Sequence, residues 1–231
     1  MQAKPLKIKS LLYAATALTL MSGIANADVI LFAPTTSGGN FIGNGGAGND
    51  SRGATTYTSG GFSVLATGFS SNGVTNDLYE KAGGTGEEGL GLAGQTDNEI
   101  NSPNQFIQFQ ILTIPNPLQL AMSFAANSTT AGEGWIVWGT NSAGTLAGAT
   151  NLASCTSAGT DVTGGPCEQL FTVATAPGFT YIDVQATNGN MLVHELNTVP
   201  LPGAAWLFGS GLAGLVLVGR RRKKQAAAVA A

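Results

Sequence analysis

The stretch QFIQFQILTIPNPLQLAMSF, Gln105 to Phe124, decides how the rest of the chain is read. Residues 105–114 alternate, with Ile107, Phe109 and Ile111 on one face and Gln108 and Gln110 on the other, the period-two pattern of a strand with one buried side. A turn at Pro115-Asn116-Pro117 follows, and the alternation then resumes with Leu118, Leu120, Met122 and Phe124 on a shared face. The same signature extends outward in both directions. Upstream lie Val29-Ile30-Leu31-Phe32 and GFSVLATGF (61–69). Downstream lie GWIVWGT (134–140), EQLFTVA (168–174), FTYIDVQA (179–186) and NMLVHEL (190–196), the last two separated by the hairpin signal Asn188-Gly189. Eight to ten short strands with glycine-rich turns, and no long amphipathic helix, predict an all-β fold, a β-sandwich of jelly-roll type. The run from Thr35 to Gly61 lacks apolar spacing and is read as a Gly-rich loop, with at most a short strand at Phe41-Ile42. It contains no GxxxxGK[ST], so it does not read as a phosphate cradle.

Both flanks of this β region have a different chemistry. Lys4, Lys7 and Lys9 precede an apolar run from Leu11 to Ile24, and Ala25-Asn26-Ala27 offers the small-x-small pattern of a signal peptidase site. Residues 1–27 are therefore expected to be a signal peptide used for Sec export, with the mature chain starting near Asp28. At the other end, Leu201 to Gly219 is uncharged, mostly apolar and nineteen residues long, enough for a single transmembrane helix. Trp206 lies near one end of that stretch, and Arg220, Arg221, Arg222, Lys223 and Lys224 follow it. This basic cluster would hold its end in the cytoplasm and leave the β domain, residues 28–198, outside the inner membrane. The spacing of Ala205, Gly209, Ser210 and Gly214 permits close approach of another membrane helix. Between Asp28 and Pro200 lie all thirteen carboxylates and two cations, Arg52 and Lys81, a net charge of −11. Nucleic-acid binding is disfavoured, because phosphate contacts require a basic face.

Few side chains in the domain read as chemistry. Cys155 and Cys167, close together in an exported, Gly-rich stretch, are expected to form one disulfide closing a surface loop, worth roughly 3 kcal/mol in the loop-closure picture. A metal or redox role for them lacks a C-x-x-C, and the single histidine, His194, is far along the chain. His194 lies in a strand beside Glu195 with no GxSxG elbow, so a hydrolase triad is not supported. Glu87, Glu88, Asp97, Glu99, Glu133 and Asp183 could supply a glycosidase pair, although sequence spacing does not assemble one. The segment KAGGTGEEGLGLAGQTDNEI (81–100) places Glu87, Glu88, Asp97 and Glu99 among glycines, a composition suited to Ca²⁺ without matching an EF-hand. Its alternative is an acidic solvated loop. Trp135 and Trp138 must point to opposite faces of one strand, which predicts one in the core and one outside, where it could stack on a sugar.

The tail resembles a known signal. Val199-Pro200-Leu201-Pro202, the apolar helix 203–219 and the basic cluster 220–224 are similar to the PEP-CTERM sorting signal of Gram-negative bacteria, in the variant whose motif is VPLP. Leu201 stands where that family's commonest form has glutamate, and the short tail 225–231 extends past the basic cluster. The resemblance implies processing by an exosortase, a membrane-embedded cysteine protease, and delivery to the cell surface or extracellular medium. Looser resemblance to domains on such proteins covers GEEGLGL (86–92), DNEI (97–100), FIQFQI (106–111), GEGWIVWGTNSAGTL (132–146) and FTYIDVQATNGNMLVHEL (179–196). It implies association with exopolysaccharide in an extracellular matrix. The expectation is thus a non-enzymatic, structural or adhesive surface protein. A carbohydrate- or calcium-binding module is the alternative, and a secreted glycan hydrolase a third reading.

Overall fold

The computed structural model describes residues 28–32, 50–71, 73–82, 88–114, 121–129, 132–156, 167, 171–174 and 178–199. The expected signal peptide, Phe41-Ile42, Glu87, Leu118, Leu120, residues 168–170, the motif after Val199, the apolar helix and the basic cluster lie outside the described residues.

The described residues form fifteen strands in two antiparallel sheets, the longer of them built on alternating apolar residues. The first sheet contains β1 (Val29–Leu31), β2 (Asp50–Arg52), β6 (Leu78–Ala82), β7 (Glu88–Leu92), β8 (Ile100–Asn101), β10 (Ala121–Asn127), β13 (Phe171–Ala174) and β15 (Asn190–Val199). Its order is β13-β10-β15-β7-β6-β2, with β1 and β8 also paired to β15. The second contains β3 (Thr55–Ser59), β4 (Phe62–Ser71), β5 (Val74–Asn76), β9 (Phe106–Thr113), β11 (Gly134–Thr140), β12 (Thr150–Thr156) and β14 (Tyr181–Asn188). Its order is β12-β11-β14-β9-β4-β3, with β5 on the far end of β4. The two strands of the decisive 105–124 stretch enter opposite sheets, β9 in one and β10 in the other. Each therefore turns its apolar side toward the other's layer.

The core is the space between the sheets. Val64 and Ala66 of β4, Ile107 and Phe109 of β9 and Val184 of β14 face Met122 and Phe124 of β10, Leu90 of β7 and Val193 of β15, all buried. Each such large apolar side chain contributes about 1.5–3 kcal/mol through removal from water. Trp135 is wholly buried, packs edge-on to Phe124 with ring centroids 4.9 Å apart, and donates Nε1–H to the Cys167 carbonyl at 2.9 Å. Phe32, just past β1, packs on Tyr57 and Phe109, so the first short strand contributes to the core.

Three expectations change. The Gly-rich loop drawn through residues 35–61 is overturned at its end, where residues 50–52 and 55–59 are β2 and β3. Thr55, Thr56, Tyr57 and Thr58 carry the β-branched and aromatic side chains that fit a pleated surface, and Gly60, at φ +56°, turns the chain into β4. Cys155 and Cys167 are bonded, with Cα atoms 5.5 Å apart. Yet Cys167 itself is fully buried within the core cluster, so the bond fastens Cys167 against Trp135. Finally β6, β7 and β12, absent from the strands expected, pair into the sheets: β12 with β11, β6 with β2 and β7, and β7 also with the longer β15.

Candidate functional site

The outer face of each sheet is covered by a loop, and each cover buries one carboxylate. On the first sheet, the segment from Gln95 to Asn101 lies across β7. It can do so because Gly91 has no side chain there: a Cβ on Gly91 would run into the Asn98 carbonyl. Glu99 is thereby buried, and its Oε1 accepts hydrogen bonds from Lys81 Nζ of β6 and from Ser128 Oγ at 3.1 Å. The segment expected to hold calcium is therefore divided. Glu99 faces a lysine, Asp97 is exposed in a turn at φ +56°, Glu88 is half-buried in β7 and Glu87 lies outside the described residues. Among the described residues no three His, Cys, Asp or Glu side chains converge as metal ligands.

A second ionic chain runs outward from the core. Tyr57 donates to Glu80 Oε1 at 3.0 Å, Arg52 Nε donates to Glu80 Oε2 at 3.2 Å, and Arg52 Nη2 meets Asp50 Oδ2 at 2.8 Å. Burial, then the Glu80 charge beside it, raises the Tyr57 hydroxyl above its ordinary range, so it remains a donor. This arrangement pins β2 and β3 to β6.

The second sheet is built differently. Register aligns Trp138 of β11 with Asp183 of β14, Asp183 with Gln108 of β9, and Gln108 with Thr67 of β4, giving one outward-facing row across four strands. The adjacent row carries Ile136, Gln185, Phe106 and Phe69, with the two phenylalanine rings stacked at 4.9 Å. Period-two alternation separates the two tryptophans: Trp135 is in the core, while Trp138 is half-buried on this face and donates Nε1–H to Gln185 Oε1 at 2.9 Å. The β11–β12 connection, residues 141–149, folds back over the rows. Gly144 N donates to Gln108 Oε1 at 3.0 Å, Gln108 Nε2 donates to the Ser142 carbonyl at 3.2 Å, and Gly144 sits against the Phe69 ring.

To reach β9 from β11 the loop must cross β14, so it passes over Asp183. That carboxyl is fully buried and neither oxygen has a hydrogen-bond partner. Burial raises its pKa to about 7. The Gln108 amide pulls the other way, although its hydrogen bonds of normal geometry go to the loop. Among the described residues no other carboxylate shares the row with Asp183. Glu133, the nearest in sequence of the carboxylates weighed for a glycosidase pair, accepts from Asn190 N at 3.3 Å beside the β14–β15 turn. His194 is half-buried on β15, with Nδ1 3.3 Å from Asn127 Nδ2.

Gln108 points to the polar face of β9 that the alternation predicts, but the loop buries it. Two signals in the sequence could have found this site: an aspartate inside the apolar run YIDV, and a nine-residue linker of small side chains where a tight hairpin would need two. Comparison of the chain with protein-family models, with curated proteins and with solved structures finds no match.

Proposed function

We propose that this chain is an exported cell-surface or extracellular-matrix protein, structural or adhesive and associated with exopolysaccharide, whose C-terminal signal is processed by an exosortase. In this reading a jelly-roll β-sandwich is the working domain and residues 1–27 and 199–224 are addresses. The domain is held transiently at the inner membrane and then delivered outside, and it catalyses no reaction. The observation that carries the reading is how closely the fold fits between the two proposed processing sites. Asp28 accepts a backbone hydrogen bond from Thr198 N at 3.0 Å and donates its own N–H to Thr198 Oγ1 at 3.0 Å. Entry and exit are thus paired side by side, at β1 and near the end of β15, whose last described residue, Val199, is the first residue of the motif. Removal of both flanks would leave every described strand intact up to the motif itself.

The test is localisation in the native host. The full chain should reach the surface fraction, and replacing Pro200 and Pro202 with alanine should trap it in the inner membrane; surface delivery unaffected by that double change would refute the sorting assignment. Cells with and without exopolysaccharide, each in calcium and in chelator, then separate the partners. Retention that disappears with the polysaccharide supports the matrix role, and loss in chelator brings calcium into it.

A second reading, a carbohydrate-binding module, is favoured by one observation. The half-buried ring of Trp138 stands on a sheet face among amide side chains, Gln108 and Gln185, which is the mixture of stacking surface and hydrogen-bonding groups that a sugar ring uses.

A further inference from the structure

The cover on the second sheet is held by polar contacts at its two ends. Asn141 Oδ1 accepts from Thr180 N at 2.8 Å and from Thr180 Oγ1 at 3.1 Å, and Ser142 N donates to Thr140 Oγ1 at 3.0 Å. Farther along, Gln108 takes both a donor and an acceptor from the loop. Directly beneath the crossing lies Asp183, with both oxygens unpartnered and no solvent access. Among the described residues on the elements packed against it, β4, β9, β11 and the loop itself, no ionisable side chain faces it. On β14 its one titratable neighbour on the same face is Tyr181, which carries no positive charge.

A neutral carboxyl can sit in such a place. A carboxylate cannot do so cheaply, because an ion without a counter-charge or hydrogen bonds must recover water. The route to water is through the loop, since the sheet closes the other side and Trp138 and Gln108 flank it.

We infer that residues 141–149 are a pH-released cover: ionisation of Asp183 lifts the loop and opens the Trp138–Asp183–Gln108 row to a neutral saccharide. The ligand rests on the carbohydrate reading above, whereas the cover rests on the loop's path and on the buried, unpartnered Asp183 carboxyl beneath it. An uncharged sugar fits the opened row for three reasons. The Trp138 ring offers a stacking face, the carboxylate and amide accept and donate to hydroxyls, and among the described residues no cation lies on the face to recruit an acidic polymer. The carboxyl titrates near 7, which places the release between slightly acidic and slightly alkaline conditions.

Two readouts on the full chain in detergent test this. Hydrogen exchange of the amides in 141–149, expressed as protection so that the chemical pH dependence is removed, should fall about tenfold from pH 6 to pH 8.5 in the wild type. Asp183→Asn should keep the loop protected at both values, and Gln108→Ala should leave it unprotected at both. Retention on cross-linked dextran should rise with pH in the wild type, remain low in Asp183→Asn, and fail to transfer to carboxymethyl-dextran. Equal protection of the wild-type loop at pH 6 and 8.5 would overturn the cover, and dextran retention independent of pH would then leave the carbohydrate reading standing. Loop release with no change in dextran retention, or retention only on the acidic gel, would overturn the saccharide and that reading with it.

Discussion

The two covered faces bury one carboxylate each, and they handle the charge in opposite ways. Glu99, under the 95–101 segment, is given a lysine and a serine hydroxyl. Asp183, under 141–149, is given neither cation nor hydrogen bond. The covers also differ in how they touch the sheet. The first packs backbone against backbone over Gly91; the second stands on side chains and is hydrogen-bonded to Gln108. The first is thus built as a fixed part of the sandwich and the second as a separable one. Equal burial says nothing about function until the partners are counted.

The largest expected effect comes from making the first face resemble the second. Lys81→Met removes the cation from buried Glu99 and should lower unfolding stability by about 3–5 kcal/mol at neutral pH, read as a shift of the urea midpoint. Lys81→Met combined with Glu99→Gln should recover much of that loss, because no stranded charge remains. A single-variant loss below about 1 kcal/mol would erase the contrast between the faces.

The converse change repairs the second face. Asp183 has a folded-state pKa raised to about 7 from 3.8, so between these values the native state binds the extra proton and stability falls as pH rises, levelling off above 7. Asp183→Asn removes this penalty. It should stabilise the protein by up to about 4 kcal/mol at pH 8 and by less than about 1 kcal/mol at pH 4. A gain independent of pH would mean that the carboxyl does not titrate in the native state over this range.

Glycine substitutions sharpen the difference in how the covers sit. Gly91→Ala drives a Cβ into the Asn98 backbone and should lower stability by about 2–3 kcal/mol while displacing the first cover. Gly144→Ala meets the Phe69 ring at 3.1 Å with φ at +69°, and should lower stability by about 1–2 kcal/mol. Thermal unfolding of both variants against wild type reads the ranking; a reversed order would show that the second cover is the more tightly fitted.

Much of this frame was legible in the sequence, because alternation reports which side of a strand meets the opposite sheet. That is why β9, β11 and β14 stand out in it, and why Trp135 and Trp138 separate. The strands that were missed are those with no self-contained pattern. EGLGL in β7 reads as a loop by its glycines, yet Gly91 lets the 95–101 segment approach and Gly89 lies close against Leu192 and Val193 of β15. The covered faces were illegible for a related reason. A glutamine on the polar side of a strand looks solvated, and only a loop arriving from 34 to 36 residues away makes Gln108 buried. The 81–100 run read as a candidate calcium segment from its composition, but Lys81, its first residue, folds back to neutralise Glu99.

The smallest stability effect separates the binding role of the second face from its architecture. Trp138 is half-buried and has one side-chain hydrogen bond within the protein, to Gln185, so Trp138→Ala should lower stability by only about 1 kcal/mol. The same change removes the one aromatic ring on the Asp183 row and should abolish retention on dextran at pH 8.5, a loss out of proportion to the stability change. The comparison with Gln185→Ala completes the argument. That variant frees the Trp138 Nε1–H while leaving the ring in place, so it should keep most of the retention. If the two variants lose retention equally, the ring matters through its hydrogen bond and not as a stacking surface. If neither does, the sugar is held elsewhere, and the second cover conceals nothing that a saccharide needs.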